Sequence, residues 1–286
     1  MPRVVYVNGR YVPYRSATVH VDDRAYTFAD GVYEVVLIAG GELVDEGPHL
    51  DRLDRSLREL RIKAPMSRQA LRAVLREVIR QNRVRDGLVY LQMSRAVAPR
   101  DHPFPADPTT QFVAWAKTLA PQPRAFAEDG VRTITLPDNR WGRCDIKSTA
   151  LLPNVLAKQA AREAGAYEAL FVDKDGFITE GSSTNAWIIT PAGELVTRAT
   201  DPGILAGITR RTVAALAREE GLKLVERKFS VAEAKAAREA FITSASSLVL
   251  PVTQIDDQVI GNGKPGSATS RLRQRYIRYM DGKGGA

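Results

Sequence analysis

From about residue 126 onward strand-like runs alternate with helix-like runs, and that mixture is the chain's strongest constraint on fold. The strand-like runs are VRTITLP, EALFVD, TNAWIIT, KLVERKF, AFITSA and LPVTQID; the helix-like runs are PNVLAKQAAREAG, ITRRTVAALAREEG and SVAEAKAA. A doubly wound parallel sheet wants one helix between successive strands, so the mixture favours an α+β fold with mixed sheets. Pro153 sits near one helix start and Gly165 just past its end, the usual asymmetry. Ser230 and Glu233 have capping-box spacing at the start of another. No GxGxxG or Walker loop follows a strand, which counts against a nucleotide cofactor.

The first part reads differently. VVYVNG and RYVPY flank an Asn-Gly pair, the signature of a hairpin. A β-branched strand follows between an Asp-Gly and a Gly-Gly turn. His49 to Ile62 places Leu50, Leu53, Leu57 and Leu60 on one helical face, and about Ser67 to Arg83 does the same with Leu71, Val74, Leu75, Val78 and Ile79. LVYLQMSR and QFVAWAKT complete an α+β unit. The proline-rich APQPRAFAEDG has no periodicity, so a linker is expected at 120–125, between a smaller N-terminal α/β domain (1–119) and a larger mixed-sheet C-terminal domain (126–286).

Composition narrows the class. At 286 residues and 44% apolar the chain can bury a substantial core. Its apolar runs are short and broken by charge, and residues 1–20 lack a leader, so a cytoplasmic protein without a membrane partner is expected. The single cysteine, Cys144, excludes an internal disulfide, and with three histidines it argues against a metal site. The net charge of +8 is spread over segments such as RLDRSLRELR that mix both signs, and no recognised binding motif accompanies it. Nucleic acid is therefore not an expected partner. In RLRQRYIRYM, Leu272, Tyr276 and Met280 recur at helical spacing, as in a docking helix with a basic outer face, and the GKGGA tail reads as flexible.

Two residues suggest chemistry. Lys147, in RCDIKS, is flanked by Trp141, Cys144 and Ile146, whose bulk suggests partial burial of an amine able to hold an aldehyde. Glu180, in ITEGSSTN, is an anion able to keep a pyridine nitrogen protonated. Taken singly, the first reads as a snorkelling lysine, and the second as a turn carboxylate sharing nearby amides with the Ser182–Thr184 hydroxyls. GILAGITRR enters a helix at about Ile208, where free N–H groups suit a phosphate, although Thr209 there also reads as an ordinary cap. Arg52 lies beside the Leu50–Leu53 face and alone is an ordinary helix arginine. In PRDHPFP, Arg100 and His102 project to one side of an extended segment and can grip a carboxylate, or else solvate a surface loop. Tyr33 points away from Val32 and Glu34.

RCDIKS, LAKQ, TEGSSTN and GITR, in this order and spacing, resemble the fold-type IV (class IV) transaminases that use pyridoxal 5'-phosphate (PLP). That family includes branched-chain aminotransferases, D-amino acid aminotransferases and aminodeoxychorismate lyases, and the resemblance covers nearly the whole chain. It implies that Lys147 is the aldimine lysine, Glu180 the partner of the pyridine nitrogen and Arg52 the phosphate arginine. It also implies that Leu205 lies against the ring face and that Ile208 and Thr209 offer phosphate-binding amides. In TSASS, Ala245 stands where related D-specific enzymes often carry threonine, which keeps a backbone amide but removes a hydroxyl that Ser244 or Ser246 would have to replace. Tyr33, Arg100 and His102 are similar to the carboxylate trap of D-amino acid aminotransferases. The implied reaction is a ping-pong exchange of D-alanine and 2-oxoglutarate for pyruvate and D-glutamate, in a homodimer whose partner chain lines the pocket. A branched-chain or (R)-amine transaminase and an aminodeoxychorismate lyase are the alternatives.

Overall fold

The computed structural model of the chain describes residues 1–283, so the last three residues of the GKGGA tail lie outside the described part. The chain divides into two compact units. The first comprises Met1–Ala120, Ile146–Ala150 and the chain from Met280; the second comprises Pro121–Asp145 and Leu151–Tyr279. The first boundary falls at the proline-rich stretch, but part of the expected linker is structured, since a short helix begins at Arg124. Lys147, expected with the C-terminal domain, belongs to the first unit.

In the first unit β1 (Val4–Val7) and β2 (Arg10–Pro13) form the expected hairpin. Asn8 and Gly9 both take positive φ, as a tight two-residue turn requires. After α1 (Arg24–Phe28) come β3 (Gly31–Ala39), β4 (Glu42–Leu43), α2 (Glu46–Glu59), α3 (Arg68–Asn82), β5 (Gly87–Ser94) and β6 (Gln111–Thr118). The strands make one antiparallel sheet in the order β2-β1-β6-β5-β3-β4. Helix α2 starts three residues before the expected His49, because Pro48 lies in the first turn, where its missing N–H has no intrahelical partner to lose. Ser67 caps α3, its Oγ accepting from the Ala70 amide at 3.2 Å, and Arg83 ends it at φ 55°. Leu50, Leu53 and Leu57 of α2 and Leu71, Leu75 and Val78 of α3 share one core with Val32, Val36, Val89 and Leu91 of the sheet. Full burial of each such side chain contributes about 1.5–3 kcal/mol.

The second unit contains α4 (Arg124–Glu128), β7 (Val131–Pro137), α5 (Leu152–Glu163), β8 (Glu168–Val172), β9 (Ile178–Gly181), β10 (Asn185–Ile189), β11 (Leu195–Thr197) and α6 (Ile208–Glu219). These are followed by β12 (Leu224–Glu226), α7 (Val231–Lys235), β13 (Glu239–Ser244), β14 (Leu248–Ile255), β15 (Gln258–Val259) and α8 (Ser267–Lys283). The sheet runs β12-β11-β10-β13-β14-β7-β8-β9, with β15 beside β14. Parallel pairs β7–β8, β7–β14 and β11–β12 sit among antiparallel ones, so the sheet is mixed and the fold is α+β. Pro153 lies in the first turn of α5 and Gly165 follows it at φ 66°. The expected capping box at α7 is only half made. Ser230 Oγ accepts from the Glu233 amide at 3.1 Å, but the Glu233 carboxylate pairs with Arg227 instead. In α8, Leu272, Tyr276 and Met280 are all buried.

Among the described residues, no helix is long and apolar enough to cross a membrane, and no cluster of three or more His, Cys, Asp or Glu side chains could hold a metal ion.

Candidate active site

Lys147 owes its position to a short ribbon laid along the start of β3. Ser148 bridges Val32, the Tyr33 amide donates to the Lys147 carbonyl at 3.0 Å, and the Thr149 amide donates to the Gly31 carbonyl at 3.0 Å. Thr149 Oγ1 ties the ribbon to the Ala29 carbonyl at 2.9 Å. With an extended period of two, Ile146 and Ser148 turn inward and are buried, and Lys147 between them is half-buried. Its Nζ stands 4.3 Å from the centre of the Tyr33 ring. Tyr33 in turn stacks on Tyr90. The structure thus brings together the expected lysine and the expected tyrosine.

Arg52 is not an ordinary surface arginine. It is buried on α2, and its Nε and Nη2 each donate at 2.8 Å to a different oxygen of Glu34, a fully buried residue on β3. Glu34 Oε2 also accepts from His49 Nδ1 at 2.8 Å. Burial alone would raise the Glu34 carboxyl, but the Arg52 charge and the hydrogen bonds from Arg52 and His49 outweigh it and hold the group at about 2. Burial pushes the His49 imidazole below its ordinary value. Sequence reasoning missed both partners. Two signals were present: a charged residue on the apolar face of β3, and a histidine three positions before Arg52 on the same helix.

Arg100 and His102 are exposed and lie on an irregular loop. Both side chains lie near one neighbour, the Phe28 ring. The guanidinium carbon is 5.1 Å from its centre, and the imidazole centre is 5.3 Å away.

In the second unit Glu180 lies within β9 rather than in the turn expected after it, and it is buried. Its oxygens accept from Arg140 Nη1, from Asn185 Nδ2 at 3.0 Å and from the Leu205 amide at 3.1 Å. These donors complement the carboxylate anion. The Ser182, Ser183 and Thr184 hydroxyls instead bind the fully buried Glu168, so they do not compete for Glu180.

Arg140 is held by Asp138 at 2.7 Å and lies over the Phe171 ring at 4.6 Å. Burial would lower the Arg140 guanidinium, yet Asp138 and Glu180 raise it well above its ordinary value. The same pairing, with the Thr179 hydroxyl, keeps Asp138 below the usual carboxylate range against its burial. Arg140, Asp138 and Asn185 were also missed, although RWGR and TEGSSTN contain two of them.

Leu205, Ile208 and Thr209 surround the start of α6. Gly207 at its N-cap offers no side chain to the first-turn amides, and Thr209 is buried. A Cβ on Gly207 would overlap Asn185 Oδ1, so any side chain there would have to displace the Asn185 amide. Asn185 Nδ2 also donates to the Leu205 carbonyl at 3.0 Å, which ties the Glu180 strand to this helix start. Ser244 ends β13 and its Oγ accepts from the Ser247 amide at 3.0 Å, with Ala245 next in the turn.

Within the first unit Lys147 is a half-buried amine and Arg52 a buried guanidinium; within the second, Glu180 is a carboxylate fixed by donors and α6 begins without a side-chain cap.

Comparison with known proteins gives the family. The model of the amino-transferase class IV family matches residues 31–255. D-alanine aminotransferase of Bacillus licheniformis is 41% identical over 269 residues, covering 94% of each chain. That of Staphylococcus epidermidis strain RP62A is 36% identical over 276 residues, covering 96% of this chain and 97% of the relative. Among solved structures, the branched-chain amino acid aminotransferase of Thermobaculum terrenum in its PLP form superposes with a TM-score of 0.86 at 25% identity, covering 99% of this chain and 95% of the other. The Escherichia coli branched-chain enzyme shares the fold with a TM-score of 0.92 at 23% identity, covering 99% and 96%. The chain belongs to the class IV aminotransferases and is a PLP-dependent enzyme.

Proposed function

We propose that this enzyme is a D-amino acid transaminase that exchanges D-alanine and 2-oxoglutarate for pyruvate and D-glutamate. The observation that carries this reading is the full-length similarity to D-alanine aminotransferases at 41% and 36% identity. The P-R-x-H-x-F-P text around Arg100 and His102 supports it.

In this reading Lys147 Nζ would hold the cofactor aldehyde, and its amine would move the proton from the substrate α-carbon. Bound PLP supplies an electron-withdrawing ring that spreads the charge left on that carbon. Glu180, fixed by Arg140 and Asn185, holds a proton on the ring nitrogen. Arg52 and the amides of Ile208 and Thr209 would bind the phosphate, with Ser244 and the Ala245 amide as further donors, and Leu205 would face the ring. Tyr33, Arg100 and His102 bind the substrate carboxylate and so decide which enantiomer turns its α-hydrogen toward Lys147.

A panel of D- and L-alanine, glutamate and leucine as donors to 2-oxoglutarate or pyruvate tests the proposal. D-alanine and D-glutamate should be the best donors. The solved branched-chain aminotransferases of the same fold favour a second reading, and efficient L-leucine turnover would select it. We further propose a homodimer, since α5 exposes Leu152, Val155 and Leu156 on one face, as a surface covered by a second copy would. Light scattering should give twice the chain mass; a monomer would contradict it.

A further inference from the structure

The loop that carries Arg100 and His102 is irregular, and beside it lie the buried Arg24 and Arg95, both paired with the partly buried Asp30. Both arginines are 3% exposed, and both turn Nε toward the same oxygen, Asp30 Oδ2, at 2.8 Å. Arg95 Nη2 adds a bond to Asp30 Oδ1 at 3.0 Å. Two guanidiniums on one carboxylate leave a positive charge in excess, and a buried charge is tolerated only where its remaining N–H groups find acceptors.

Those acceptors are backbone carbonyls. Arg95 donates to Leu60 at 2.7 Å and to Arg61 at 3.0 Å. Arg24 donates through Nη1 to the Asp101 carbonyl at 2.6 Å and through Nη2 to that of His102 at 3.3 Å. The last two belong to the loop itself. The Arg24 guanidinium also lies 4.6 Å from the centre of the Phe28 ring that Arg100 and His102 share. Further along, the Arg95 guanidinium sits 3.5 Å from the centre of the Phe104 ring.

We propose that Arg24, fixed on Asp30, is a positioning residue that sets the Arg100–His102 loop for capture of the substrate carboxylate, with Arg95 and Phe104 anchoring the loop's far end. This rests on the reading in which Arg100 and His102 bind that carboxylate. Lysine in place of Arg24 keeps the charge but lacks the planar fork that reaches one carboxylate and two carbonyls at once. A loosened loop weakens binding of substrate and transition state alike, so KM rises while kcat holds.

The test is steady-state kinetics on holoenzyme with saturating PLP and D-alanine as donor, comparing wild type, R24K, the pair R100A/H102A and the triple variant. R24K should raise KM about tenfold or more, with kcat within about twofold and cofactor absorbance unchanged. In the R100A/H102A background it should add less than about twofold, because the loop it sets no longer binds the carboxylate. A normal KM in R24K beside a raised KM in R100A/H102A would overturn the positioning role alone. So would an equal R24K effect in both backgrounds. An unaltered KM in R100A/H102A would sink the underlying reading, and this inference with it. Should R24K fail to fold, Phe104→Ala decides, since that ring is 45% exposed; it should raise KM severalfold with kcat kept, and an unchanged KM counts against the proposal.

Discussion

Replacing Glu34 with glutamine isolates the anion that holds Arg52 in place. The Glu34 side chain is 0% exposed and that of Arg52 9%, so neither charge is relieved by solvent. Two bonds of 2.8 Å to Arg52 and one of 2.8 Å to His49 keep the carboxyl at about 2 instead of its ordinary 4.5. At about 1.4 kcal/mol per decade, the ionised group stabilises the fold by about 3 kcal/mol. The glutamine variant loses this and leaves Arg52 buried beside a neutral amide, a change that typically costs about 3–5 kcal/mol.

The sign follows from a depressed carboxyl. The stabilisation is whole above about pH 4.5 and is lost as pH falls toward 2. Urea unfolding of wild type and Glu34→Gln, at one fixed PLP concentration so that cofactor linkage is common to both, measures the difference. It should be at least about 3 kcal/mol at neutral pH and smaller by about 1 kcal/mol near pH 4. A difference below about 1 kcal/mol at neutral pH, or one that grows on acidification, would refute the reasoning.

Arg140→Met removes the charge-assisted bond that fixes Glu180 and should lower kcat roughly 10- to 100-fold in steady-state assays, the equivalent of about 1.5–3 kcal/mol. Arg52→Ala should weaken PLP retention by a similar factor in equilibrium dialysis; unchanged affinity would remove Arg52 from the phosphate site. Gly207→Ala places a methyl where Asn185 Oδ1 stands, and should cost about 1–3 kcal/mol in denaturant unfolding and reduce PLP affinity with it.

Much of the fold was legible because local patterns carried it. Asn8-Gly9 announced the hairpin, the leucine spacing announced α2 and α3, and the GILAGITRR text announced the start of α6 near Ile208. Boundaries failed where one residue has two meanings: Pro48 reads as a barrier before a helix but is tolerated inside its first turn. Glu180 looked like a turn residue because glycine and serines follow it, whereas pairing with β8 makes it strand.

What stayed hidden was the second layer of charge. The Glu34 pairs with His49 and Arg52 and the Asp30 pair with Arg95 join residues 15, 18 and 65 positions apart, separations that no helical or strand period links. The same holds for Lys147, whose ribbon is claimed by β3 more than a hundred residues earlier in the chain.

The amine at position 147 should be the group that holds the cofactor aldehyde. Borohydride reduction of the holoenzyme, followed by peptide mapping, tests it directly. A pyridoxyl group fixed on Lys147 is the predicted result; a label on any other lysine, or none on that peptide, would contradict the account.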